Sequence, residues 1–156
     1  MKNPLIRTLV ATLLVLGSLS GVHAAESDQE RIHAVLEAYE QALNAGDVAG
    51  IVNLYTQDGV FMPQHNPSAV GIEAIEAAYG AVFRTIVLEV EFDIVEIEVI
   101  ADDWAFARTN SAGTTTINAT GAKVAEANQE LFVFQKTADG EWRIARYSFS
   151  TTNPPR

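Results

Sequence analysis

Around Leu88 the spacing of apolar residues changes from a helical period to a period of two, and most of the remaining chain keeps the new period. Upstream, Ile32, Leu36, Tyr39 and Leu43 fall three or four residues apart, on one face of a helix. Downstream, Leu88, Val90, Phe92 and Ile94 alternate with Glu89, Glu91 and Asp93, the pattern of a strand with one buried face. The phase then flips, and Val95, Ile97 and Val99 become the apolar set while Glu96 and Glu98 become the solvated one. A one-residue slip moves every side chain to the other face, so a bulge or strong bend is expected near Ile94–Val95. A chain that builds helices first and long strands afterwards has few choices beyond an α+β plan.

Local signals set the boundaries. Ser27-Asp28-Gln29-Glu30 is a capping box that starts the first helix, and Gly46 stops it. Asp47 caps a second helix with Val48, Ile51, Leu54 and Tyr55 as its stripe. Asp58-Gly59 turns into a short strand at Val60-Phe61-Met62, and a loop with Pro63 and Pro67 leads to a third helix over about Ile72–Arg84. That helix buries Ile75, Ala78, Tyr79, Val82 and Phe83. Turns at Ala101-Asp102-Asp103, Asn118-Ala119-Thr120-Gly121 and Thr137-Ala138-Asp139-Gly140 separate strands over about Trp104–Thr116, Lys123–Gln135 and Glu141–Ser150. Gly113 reads as a bend. A long bent sheet wrapped around helices makes a cone with an apolar interior.

The chain opens with a basic segment carrying Lys2 and Arg7, an apolar run from Leu9 to Leu16, and a small-residue exit ending Val22-His23-Ala24. This is the pattern of a secretory signal peptide over residues 1–24, and the run is too short for a membrane span of about 20 apolar residues. A periplasmic or secreted protein is expected, with residues 25–156 forming one domain and no membrane attachment after cleavage. Loss of Lys2 and Arg7 leaves 8 basic residues against 20 acidic ones, a net charge of −12. Such a surface repels nucleic acid and anionic lipid. The chain has no cysteine, and only His33 and His65 remain after the signal. Neither a metal nor a cofactor is expected from that donor set, nor from any phosphate loop, nucleophile elbow or dinucleotide fingerprint.

The stretch from Ala38 to Asp47, its continuation Leu54-Tyr55-Thr56-Gln57-Asp58-Gly59-Val60, the segment Gly71-Ile72-Glu73-Ala74-Ile75, and the ending from Phe132-Val133-Phe134 to Ile144 resemble the nuclear transport factor 2-like superfamily. The resemblance is greatest to its SnoaL-like branch, including the SgcJ/EcaC-type proteins, and more distant to the ketosteroid isomerases. It implies a cone-shaped fold of three N-terminal helices packed on a strongly curved antiparallel sheet. It also implies a homodimer packed through the outer sheet face. Function is less constrained, since one fold hosts many activities.

In the isomerases a loop aspartate is the base, and a tyrosine with a protonated aspartic acid binds the oxyanion. Position by position, the resemblance puts the tyrosine at Tyr39 and the acid at Glu130. The base position falls on Pro63, which has no proton to exchange; His65, two residues on, is the nearest substitute. The ending Arg146-Tyr147 replaces histidines that many SnoaL-like relatives carry there. Tyr39 also lies on the first helix's apolar stripe, where the simpler reading is core.

Strand alternation adds ligand-binding candidates. If Trp104 and Phe106 face the cavity, so do Arg108 and Asn110; on the neighbouring strand Asn128, Glu130, Phe132 and Phe134 share one face. An inward Arg108 would pair with Glu130, because an unpaired buried charge is prohibitive, and would keep the carboxylate ionised. Phe61 completes the wall. Three functions fit: an acid–base enzyme using Glu130, Tyr39 and His65, a non-catalytic binder of a small apolar or amphipathic molecule, and a dimeric scaffold or partner-binding domain.

Overall fold

The computed structural model describes residues 26–154. The proposed signal segment lies outside them. Helix α1 spans Asp28–Ala45, α2 Val48–Asn53 and α3 Ile72–Thr85. The strands are β1 (Tyr55–Met62), β2 (Ala69–Val70), β3 (Ile86–Ala101), β4 (Trp104–Ile117), β5 (Lys123–Lys136) and β6 (Trp142–Thr151). They form one curved, unclosed sheet in the order β2-β1-β6-β5-β4-β3. Every pairing is antiparallel except β1 with β6, where the chain returns past the helices. The α+β cone expected from the sequence is the fold observed.

The capping box forms as expected: the Ser27 hydroxyl accepts from the Glu30 amide, and the Ser27 amide donates to the Glu30 carboxylate. Gly46 ends α1 in the left-handed region at φ 65°, where glycine bears no Cβ penalty. Ile32, Leu36, Tyr39 and Leu43 are the helix's buried residues, the same four read from the periodicity. They pack inside the cone with Ile51, Ile75, Tyr79, Phe132, Phe134 and Ile144. The expected bulge also forms, since the register of β3 on β4 slips between Ile94 and Glu96.

The free edge of β3 is covered by polar side chains of α1. Asn44 donates through Nδ2 to the Val90 carbonyl (2.7 Å) and accepts through Oδ1 from the Val90 amide (2.9 Å), as a neighbouring strand would. Glu40 accepts from the Phe92 amide and Gln29 donates to the Ile97 carbonyl. Across from Val90 lies Gly113, where a Cβ would stand 2.0 Å from the Glu89 carbonyl oxygen. Only glycine lets the two backbones approach this closely. α1 therefore sits locked against β3, and the other side of Val90 forms part of the cavity wall.

Candidate functional site

Between α1, α3 and the inner face of the sheet lies a cavity of about 150 Å³. Its walls include Tyr39, Phe61, Tyr79, Tyr147 and Phe149, and its polar residues are Ser111, Glu126, Asn128 and Glu130. Phe61 stacks between Tyr79 and Tyr147, with ring centroids 4.7 and 5.5 Å away. Phe132 is fully buried and stacks on Tyr147 at 4.2 Å, behind the cavity surface rather than on it.

Glu130 is buried, and three hydroxyls converge on its carboxyl group. Thr109, directly opposite on β4, donates to Oε2; Ser111 donates to Oε1 at 3.0 Å and Tyr147 to the same oxygen at 3.3 Å. Burial pushes the carboxyl above the usual glutamate range, the three hydroxyls pull it back, and the Glu126 charge adds to the rise. Four residues along the same strand face, Glu126 accepts from Thr115 (2.8 Å) and from Asn128 Nδ2 (2.9 Å). Asn128 Oδ1 is buried without a donor.

Three further phenols extend the network. Tyr39 Oη lies 2.7 Å from Tyr79 Oη, which lies 3.1 Å from Tyr55 Oη. A carboxylate can only accept, so Tyr147 must donate to an ionised Glu130, leaving its own oxygen to accept. In the Tyr39–Tyr79–Tyr55 chain either oxygen of each pair can be the donor. Burial raises all four phenols well above their ordinary value and keeps them protonated.

The expected pair of Arg108 with Glu130 does not exist. Arg108 lies on the outer face, about half exposed, and pairs with Glu96 of β3. The register of β4 on β5 runs without a slip, so Trp104 and Asn110 share that outer face. The inward residues of β4 are Ala105, Ala107, Thr109 and Ser111. The reason is volume: Phe132 and Phe134 of β5 fill the layer opposite Ala107 and Ala105, leaving room only for small side chains. Trp104, Arg108 and Asn110 are therefore corrected to outer-face residues, and with no cationic partner among the described residues Glu130 is held by hydroxyls.

The structure brings Tyr39, Phe61, Asn128 and Glu130 to one cavity, with Phe132 behind them. His65 is exposed in the β1–β2 loop at φ 63°, against Gln64, and is not among the cavity residues. His33 is at the surface beside Glu37. Sequence reasoning missed Thr109, Ser111, Glu126 and Tyr147 as site residues. The small-residue phase Ala105-x-Ala107-x-Thr109-x-Ser111 was the available signal for the first two. Among the described residues, no group of three or more His, Cys, Asp or Glu is placed to hold a metal ion.

Residues 35–152 match the SnoaL-like domain family. The chain belongs to that family. Its fold is that of nuclear transport factor 2-like proteins. It is similar to a ketosteroid isomerase-like protein from Erwinia carotovora atroseptica, with 38% identity and a TM-score of 0.80 over 82% of this chain and 98% of that one. A conserved protein from Planctomyces limnophilus is 25% identical with a TM-score of 0.70, covering 80% of this chain and 97% of its own. A superfamily protein from Salmonella enterica shares the fold, with a TM-score of 0.71 at 16% identity over 82% and 93%. No curated protein matches this SnoaL-like domain.

Proposed function

We propose that this chain is a small-molecule-binding domain whose ligand lies in the central cavity against Glu130. One observation carries the reading: a buried carboxyl group, held by three hydroxyls and no cation, faces an aromatic-walled space. A carboxyl group without a cation is costly to bury for stability alone, which favours a role in recognition. Native mass spectrometry of protein purified from its natural compartment tests this. A retained small molecule, lost in Glu130→Gln with the fold intact, is the expected result; a bare chain that no small molecule stabilises contradicts it.

A second reading is acid–base turnover of the bound molecule. Its support is the raised Glu130 carboxyl, which brings proton exchange closer to neutrality. Glu130 would carry that chemistry with Tyr147 as its neighbour. Tyr39 would act through Tyr147, and His65 would stay outside.

The proposal includes export, with cleavage after Ala24, which sequencing the N-terminus of the mature protein checks. It includes a homodimer through the outer sheet face, supported by Leu131, 43% exposed, beside the half-buried Phe106 and Val133. Light scattering of a clean monomer at micromolar concentration would contradict the dimer.

A further inference from the structure

We infer that the cavity's ligand is a single-ring or comparably small organic amine, bound as its ammonium ion by Glu130 and Glu126 within the aromatic wall. The inference rests on the reading of the cavity as a ligand site and adds the chemical class.

The polar groups around the cavity are acceptors whose neighbouring donors are already committed. Ser111 and Tyr147 direct their protons to Glu130. The Asn128 amide nitrogen donates to Glu126 and to the Ser111 oxygen. Its Oδ1 is left buried with no donor, and two carboxylates flank it on the same strand face. Among the described residues that line the cavity there is no Lys, Arg or His.

An anionic ligand would meet two like charges and no counter-charge. A wholly apolar one would leave the two carboxylates without a counter-charge. An ammonium group brings three donors and no acceptor, which matches what the site lacks. The chain's net charge of −10 draws cations toward it. Size limits the body: a cavity of about 150 Å³ takes a molecule near the size of benzene rather than a fused polycycle.

The test is calorimetric titration of the mature protein near neutral pH with benzylamine, benzyl alcohol, benzoate and toluene. Benzylamine should bind about tenfold or more tightly than benzyl alcohol, the factor expected for a hydrogen bond to a charged group, and benzoate should bind weakest. Glu130→Gln should abolish the preference for the amine while toluene binding and the circular dichroism spectrum persist. Glu126→Gln, at a half-buried position, should reduce it and carries the test if the first variant does not fold. Benzyl alcohol, toluene or benzoate binding as well as benzylamine overturns the amine while leaving the cavity a ligand site. An amine preference that survives both substitutions overturns it too. Failure of all four compounds to bind the folded protein removes the ligand site itself, and the inference with it.

Discussion

β4 and β5 are neighbours of equal length, paired without a slip, yet they fill the cone in opposite ways. β5 turns its aromatic residues inward: Phe132 and Phe134 are fully buried, and Leu131 lies outside. β4 turns its aromatic residues outward and presents Ala105, Ala107, Thr109 and Ser111 to the interior. Three successive inward pairs set a large or charged side chain against a small one: Phe134 on Ala105, Phe132 on Ala107, Glu130 on Thr109. A close-packed interior conserves volume across a layer, so one strand's aromatics dictate the other's methyls. At the third pair the small residue also has a hydroxyl, and packing becomes chemistry.

Truncating the filled side of this comparison should have the largest effect. Phe132 is fully buried among Tyr147, Tyr39, Phe134 and Phe92. Phe132→Ala should cost about 4 kcal/mol in urea denaturation, because Ala107 opposite cannot expand into the void. A loss under about 1 kcal/mol would mean the layer is not packed as described.

The contrast also explains what was legible in the sequence. Along α1 the periodicity fixed all four buried residues, because a helix has one apolar stripe and no competing one. On β3 the charge alternation marked the faces and the phase flip marked the bulge at Ile94–Glu96. β5 was read correctly since polar and aromatic residues pointed to the same phase. On β4 both phases contain apolar residues, and choosing by hydrophobicity alone placed Trp104, Arg108 and Asn110 inside. The decision there belongs to volume across strands, which no single segment contains. For the same reason Tyr147 was legible only as a missing histidine, while the register of β6 on β5 sets it opposite Phe132, from where its hydroxyl reaches Glu130. Nor does periodicity separate Tyr39, Tyr55 and Tyr79 as a hydrogen-bonded chain from three core residues on three elements.

The charged pair position yields a smaller, pH-dependent effect. Burial raises the folded-state value of Glu130 above the usual 4.5, so between the two values the folded protein keeps a proton that the unfolded chain releases. The parent should lose stability as pH rises from about 4.5 through the raised value. Facing Glu130 are Tyr147 of β6 and Glu126 of β5, with Tyr39 of α1 and Tyr79 of α3 behind Tyr147; the phenols stay neutral over this window. Glu130→Gln should remove the slope and leave stability near neutrality within about 1 kcal/mol of the parent, or above it, since no arginine charge is stranded. Denaturation of both proteins across the pH series checks this. A variant that retains the parent's slope would show that another group is responsible.

The smallest effect should come from Arg108, and its smallness is informative. Its guanidinium pairs with Glu96 across the β3–β4 ladder, with 54% of the arginine side chain and 36% of the glutamate exposed. Water solvates both charges, and an exposed pair of this kind contributes about 0.5 kcal/mol or less. Arg108→Ala should therefore shift the denaturation midpoint barely, and added salt should shrink even that difference. The same substitution should leave occupancy of the cavity unchanged, because the side chain is on the far side of the sheet from Glu130. Had the arginine been inside, its removal would strand a buried carboxylate and cost several kcal/mol, on the order of 3–5. The two placements differ so widely in outcome that one denaturation curve separates them.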